Sequence, residues 1–200
     1  MSAPKAPATE PPTEEPGDVE RGYVEREYKF AQVELEGLRE RLLDLEAERL
    51  AASALEDNLI FDRDGELRER GAVLRLRRDR HGARLTLKGR VRLEGTLRVR
   101  SEHEITVDDP DVAERLLERL GYEIVRRYQK MREEWRLGGV TVALDHTPIG
   151  DFAELEGDGA GTVARRCGLD PERAERRSYL RLYDDHLKEH PDAAPDMLFP

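Results

Sequence analysis

The chain has 200 residues and a formal net charge of −10, with 39% charged against 38% hydrophobic residues, 6% aromatic residues and one cysteine. No apolar run approaches the roughly 18 residues of a membrane span, and the start, MSAPKAPATEPPTEEPGD, has neither the basic nor the apolar region of a signal peptide, so a cytoplasmic protein is expected. The lone Cys167 excludes an internal disulfide and cysteine-rich zinc sites, and the negative balance argues against general nucleic-acid binding.

Residues 1–22 hold five of the eleven prolines and few large apolar side chains, which predicts a disordered arm. The folded part is expected over 23–189, followed by a tail at 190–200 in which Met197, Leu198 and Phe199 are able to dock. Between these ends, period-two alternation predicts a strand over 23–30. A helix follows over 33–52, with Leu35, Leu38, Leu42, Leu45 and Leu50 on one stripe, and then a short strand over 58–62. Asp62, Arg63, Asp64 and Gly65 resemble a fragment of a calcium loop but lack its full ligand pattern, so they are read as a turn. Strands follow over 72–79, 83–90 and 96–107. Asp109 and Pro110 open a helix over 109–121 whose stripe is Val112, Leu116, Leu117 and Leu120, with Gly121 as its left-handed stop. Strands over 123–134, 139–146 and 151–157, a short helix at 161–168 and a helix over 171–189 opened by Asp170 and Pro171 complete the chain. Consecutive antiparallel strands with a few covering helices predict an α+β fold around a strongly curved or closed sheet.

The polar strand face is not an ordinary mixed surface. Residues 68–100 hold twelve Arg or Lys against three acids, Glu69, Asp79 and Glu94, an excess of nine that leaves −19 for the rest of the chain. Residues i, i+2 and i+4 share a face. Arg75 and Arg77 therefore form one row, Arg84, Thr86 and Lys88 another, Arg98, Arg100, Glu102 and Glu104 a third, and Arg126, Tyr128, Lys130 and Arg132 a fourth. Carboxylates gather on the first and last strands, as Glu25 and Glu27 beside Lys29, and as Glu154 and Glu156. These rows either face solvent over an apolar core, the commoner outcome for charge runs, or turn inward because the helices cover the Leu and Val face. An inward charged face has to be a hydrated, ligand-ready tunnel, since unpaired buried ions cost several kcal/mol each. Clustered carboxylates supply hard oxygen ligands suited to Mg²⁺ or Mn²⁺, and Arg rows match phosphate oxygens. A triphosphate with its metals needs both sets.

Glu25-Arg26-Glu27-Tyr28-Lys29 resembles the E-x-E-x-K signature of the CYTH superfamily, the triphosphate tunnel metalloenzymes. Later blocks resemble the family in the same order: Leu74-Arg75-Leu76-Arg77, Thr86-Leu87-Lys88-Gly89, Arg100-Ser101-Glu102-His103-Glu104, Lys130-Met131-Arg132, Leu144-Asp145 with the run from Gly150 to Glu156, and Ser178-Tyr179-Leu180. The resemblance implies an eight-stranded antiparallel β-barrel forming a tunnel, with covering helices. It implies metal ligation by Glu25, Glu27, Glu154 and Glu156, with Asp145 beside them, and phosphate binding by Lys29, Arg75, Arg77, Lys88, Arg100, Lys130 and Arg132. Lys29 and the mid-chain pair Glu102 and Glu104 are the candidate catalytic groups, and the implied cofactor is Mg²⁺ or Mn²⁺.

The expected reaction is hydrolysis of an inorganic, nucleoside or thiamine triphosphate. Cyclisation of ATP by a class IV adenylyl cyclase and a non-catalytic polyphosphate- or nucleotide-binding module stand as alternatives. The expected partner is a triphosphate-bearing small molecule, with a homodimer allowed and neither nucleic acid nor a membrane involved. Trp135 is read as packing, His186 and His190 as surface residues, and Cys167 as a buried or incidental thiol.

Overall fold

The computed structural model describes residues 23–200, so the arm expected over 1–22 lies outside the described residues. Nine strands form one antiparallel sheet: β1 (Tyr23–Ala31), β2 (Glu48–Asp62), β3 (Val73–Asp79), β4 (Gly82–Lys88), β5 (Arg92–Glu94), β6 (Leu97–Val107), β7 (Glu123–Leu137), β8 (Val140–Thr147) and β9 (Gly150–Glu156). The order β1-β9-β8-β7-β2-β3-β4-β6 closes on itself because β6 pairs back onto β1, with Glu25 opposite Arg100 and Glu27 opposite Arg98. This is an eight-stranded barrel, and β5 is an extra strand on β6. Closure removes the open edges of the sheet and gives the alternating rows an inside and an outside.

The aliphatic rows look outward, where helices cover them. α1 (Leu35–Asp44) is capped by the Glu34 carboxylate, which accepts from the amides of Glu36 at 3.1 Å and Gly37 at 2.6 Å. Its Leu38 and Leu42 join Val163 and Ala164 of α4 (Ala160–Arg166) over Trp135, Val142, Leu144 and Leu155. Each such fully buried side chain contributes about 1.5–3 kcal/mol. Trp135 is buried and its indole donates to Glu133 at 2.9 Å, which is a packing role. A second cluster joins Leu117 of α3 (Pro110–Arg119) to Phe61 and Leu76 of β2 and β3.

Several elements differ from the sequence reading. The first helix stops at Asp44; Glu46 takes φ +57°, and the segment expected to finish the helix starts β2 at Glu48 instead. That segment, 48–57, is rich in good helix formers, but a ladder along β7 from Glu48 opposite Arg136 to Asp57 opposite Gln129 overrides local propensity. The stripe of α3 is only partly covered, since Leu117 is buried while Val112, Leu116 and Leu120 are exposed. The expected helix over 171–189 is broken into a 3₁₀ turn, Pro171–Arg173, an extended crossing, and α5 (Tyr179–Glu189), capped by the Ser178 hydroxyl. α2 (Glu66–Arg70) and β5 are too short to carry a periodic signal. The turn at 62–65 is present, with Asp62 accepting from the amides of Arg63, Leu67 and Arg68. No helix among the described residues is long and apolar enough to cross a membrane.

Candidate functional site

The interior of the barrel is a cavity of about 850 Å³ whose lining includes thirteen of the fourteen candidate site residues. The remaining one, Asp145, lies fully buried behind Lys130 and Arg132. Parity explains the convergence: β1 contributes Glu25, Glu27 and Lys29, β9 contributes Glu154 and Glu156, β3 Arg75 and Arg77, β4 Lys88, β6 Arg98, Arg100, Glu102 and Glu104, and β7 Lys130 and Arg132. Eight cationic side chains and seven carboxylates line the one space. The choice between a solvated face and an inward charged tunnel is thereby decided for the tunnel.

Strand direction separates two ends. The end that holds the last residues of β1, β8 and β2 and the first residues of β9, β7 and β3 is closed by the extended crossing and α5. The amide of Glu175 donates to the Lys29 carbonyl at 2.6 Å, and the Arg98 guanidinium donates to the Arg177 carbonyl at 2.8 Å. The Tyr179 ring then lies 3.4 Å from the Lys29 ammonium, and its hydroxyl donates to Asp145 at 2.7 Å. Ile60, Tyr128, Phe152 and Tyr183 pack around Tyr179, together with Met197. Met197 exchanges backbone hydrogen bonds with β7, donating to Arg127 at 3.1 Å and accepting from Gln129 at 2.8 Å. The segment after α5 is thus tied to the barrel through Met197, one of the residues singled out as able to dock.

Asp145 is the tightest node of the closed end. Arg132 donates to its two oxygens at 2.7 and 2.6 Å, and Lys130 adds a contact at 3.0 Å. Arg132 and Lys29 both pair with Glu154. Burial alone would raise the Glu154 carboxyl, but Lys29, Lys130 and Arg132 hold it well below the ordinary carboxylate range. The same burial lowers the Lys29 ammonium from its ordinary value, although Glu154 and Glu27 act in the opposite direction.

The other wall is acidic. Lys88 bonds to Glu25 at 2.7 Å and to Glu102 at 3.0 Å, Arg100 also pairs with Glu25, and Arg98 lies 3.1 Å from Glu27. Burial would raise Glu25, yet Lys88 and Arg100 bring it down to about 2. Glu156, directly opposite Glu27 in the β1–β9 register, pairs with no cation among the described residues. Burial and the charge of Glu25 push it up to about 7. Glu104, near the open mouth, accepts from Thr86 at 2.8 Å and faces Arg77 at 3.5 Å and Arg84 at 3.7 Å.

The candidate metal set fits a divalent cation in its chemistry. Glu25, Glu27 and Glu156 are hard oxygen donors on adjacent strands, and Glu156 pairs with no cation among the described residues. Among the described residues, no three His, Cys, Asp or Glu side chains close around one point, because Glu25 and Glu27 are turned toward Lys88, Arg100 and Arg98. Both oxygens of Asp145 are taken by Arg132, Lys130 and Tyr179.

Three residues outside the expected set belong to the same network. Glu56 on β2 faces Arg77, Lys130 and Arg132, Arg98 holds Glu27, and Tyr179 seals the closed end. Arg98 was visible in the β6 row and Tyr179 in the last motif, whereas Glu56 fell in the gap between an overlong helix and a shortened strand.

Comparison with known proteins agrees with this geometry. The family model for the CYTH domain matches residues 24–165. Among solved structures, a candidate adenylate cyclase from Vibrio parahaemolyticus superposes with a TM-score of 0.71 at 22% identity, covering 82% of this chain and 99% of that one. The PH1819 protein from Pyrococcus horikoshii OT3 gives 0.68 at 27% identity, over 81% and 99%. HpAC1 from Hippeastrum, described as a candidate adenylyl cyclase with a dominant triphosphatase activity, gives 0.62 at 19% identity over 81% and 96%. No curated protein matches the chain. A match of the family model over well more than half the sequence makes this chain a member of the CYTH family.

Proposed function

We propose that the protein hydrolyses a triphosphate in a reaction that depends on Mg²⁺ or Mn²⁺. The observation that carries this reading is the convergence of eight Arg and Lys side chains with seven carboxylates on the one cavity inside the barrel. Arg75, Arg77, Lys88, Arg100, Lys130 and Arg132 bind the phosphate oxygens and stabilise the charge that spreads over them during transfer. Glu25, Glu27 and Glu156 would hold the divalent cation, joined by Glu154 once phosphate takes Lys29 and Arg132 from it. Once bound, that cation neutralises the phosphates and favours ionisation of water. Asp145 serves in this reading as the anchor of Lys130 and Arg132. Lys29, buried beneath Tyr179 and lowered by that burial, binds the phosphate at the closed end. Glu102 and Glu104 orient the clamp through Lys88 and through the Arg75 and Arg77 row.

Substrate binding redistributes partners within this network. Phosphate oxygens compete for Lys88, Arg100 and Arg98, which would leave the Glu25 and Glu27 carboxylates free to serve as hard oxygen ligands. The decisive experiment incubates purified protein with Mg²⁺ or Mn²⁺ and tripolyphosphate, ATP or thiamine triphosphate from neutral to alkaline pH. Release of phosphate from at least one is expected; release from none overturns the reading. Cyclic AMP in the ATP incubation would instead assign the cyclase reaction. Tight tripolyphosphate binding without turnover, unaffected by Glu27→Ala, would assign a binding module.

A further inference from the structure

Glu56 stands apart from every carboxylate treated so far. It is buried on the inner face of β2, opposite Lys130 in the β2–β7 register and one inward position from Asn58, which faces Arg77. Its Oε1 lies 3.3 Å from Arg77 Nη1 and 4.0 Å from Arg132 Nε, and its Oε2 lies 3.4 Å from Lys130 Nζ. Oε2 accepts no hydrogen bond, the Lys130 ammonium being near it but not bonded to it. The contrast with Asp145 is informative, because that side chain holds the same Lys130 and Arg132 at 2.6–3.0 Å and adds a fourth donor from Tyr179. Charge-assisted hydrogen bonds of a permanent anchor fall at about 2.7–2.9 Å, and the Glu56 contacts are longer than that. A carboxylate that is buried among cations but closely bonded to none has the position and charge of a phosphoryl group without its grip.

We propose that Glu56 is an exchangeable counter-ion of the phosphate clamp, which competes with an incoming phosphoryl group for Arg77, Lys130 and Arg132 and so sets how tightly the tunnel holds polyphosphate and how readily it lets the product go. This rests on the reading of the tunnel as a triphosphate site and goes further, because it gives a carboxylate of that site a role opposed to binding. Asp145 keeps the two β7 cations in place whether Glu56 is paired or displaced. Glu56 holds these cations only at 3.3–4.0 Å, whereas phosphate oxygens bring more negative charge to the same three cations.

The test is calorimetric titration of metal-free protein with tripolyphosphate, in chelator and at fixed salt, for the wild type, Glu56→Gln and Glu56→Asp. A cation within about 4–6 Å shifts a carboxylate equilibrium by about one to three units, so freeing the three cations from Glu56 should lower the dissociation constant of Glu56→Gln roughly tenfold or more. Glu56→Asp, which keeps the charge but withdraws it by one methylene, should fall between the other two. With Mg²⁺ and a turned-over substrate, the Gln variant should show a lower KM and stronger inhibition by the phosphate product. A structural carboxylate predicts the reverse, with weaker binding in both variants. A wild type that binds no tripolyphosphate overturns the tunnel reading and this inference with it. A wild type that binds, alongside folded variants that bind equally or more weakly, overturns the role of Glu56 alone. If Glu56→Gln fails to fold, Glu56→Asp decides by the same sign.

Discussion

At the residue scale the closed end depends on how many donors one carboxylate can hold. Asp145 accepts four hydrogen bonds, from Arg132 twice, from Lys130 and from Tyr179. Burial and the nearby Asp145 charge push the Tyr179 hydroxyl well above its ordinary value, so it remains a donor at any working pH. Tyr179→Phe deletes one donor but leaves the ring beside Lys29, and it should cost about 1.5–3 kcal/mol in denaturant unfolding, the range for hydrogen bonds to charged groups. An unchanged midpoint would mean that Asp145 does not need this donor. Cys167 illustrates the opposite case of a reactive group kept idle. It is buried in the cluster under α4, and burial raises its thiol although Arg41 and Arg166 act to lower it. Iodoacetamide at pH 8 should therefore alkylate the native protein at least about tenfold more slowly than the unfolded chain, as expected for an inert structural thiol.

At the element scale, α5 and the segment behind it form one closure. Met197 is buried between Tyr128 and Tyr183, and the Tyr183 hydroxyl donates to the carbonyls of Ala194 at 2.6 Å and Asp196 at 3.1 Å. Met197→Ala should destabilise by about 2–5 kcal/mol, the range for core truncations, and a loss below 0.5 kcal/mol would show that the segment is not part of the cooperative unit. A strongly curved or closed sheet was legible in the sequence because strands with one aliphatic and one ionic row declare two faces, whereas alternation left open which face turns inward, and the eight-stranded barrel was implied by the family resemblance. The route of the chain around it was less so. Residues 48–57 have the composition of a helix, and only a partner strand far along the sequence makes them β2. Reading Glu56, Asn58 and Ile60 as one inward row running back from Asp62 would have extended that strand and exposed Glu56 as a site residue. The break between Arg173 and Ser178 has a local signal in the Ser178 cap of α5, but its course is fixed by the Glu175 amide on Lys29 and by Arg98 on the Arg177 carbonyl, contacts that no window of sequence contains.

At the scale of the whole molecule, the tunnel is a dense ionic lattice inside a closed barrel, and its stability must depend on pH in a direction that can be worked out. Burial would raise the carboxyls of Glu25, Glu56 and Glu154, yet their cationic neighbours hold all three below the ordinary value of 4.5, Glu25 at about 2. The unfolded chain therefore takes up protons first as pH falls. The stabilisation is complete above about pH 4.5 and is lost progressively as the solution approaches the folded-state values. Glu156, pushed up to about 7, is protonated in both states over most of that window and leaves the slope to the others. At 1.36 kcal/mol per unit, Glu25 alone accounts for about 3 kcal/mol between pH 5 and pH 2. Urea midpoints measured through that range should fall steeply, and the fall should be shallower in Glu56→Gln, which removes one tunnel carboxylate and leaves every surface carboxylate in place. Parallel profiles for the two proteins would show that Glu56 is not among the groups whose protonation unfolds the barrel and would leave the acid sensitivity to Glu25 and Glu154.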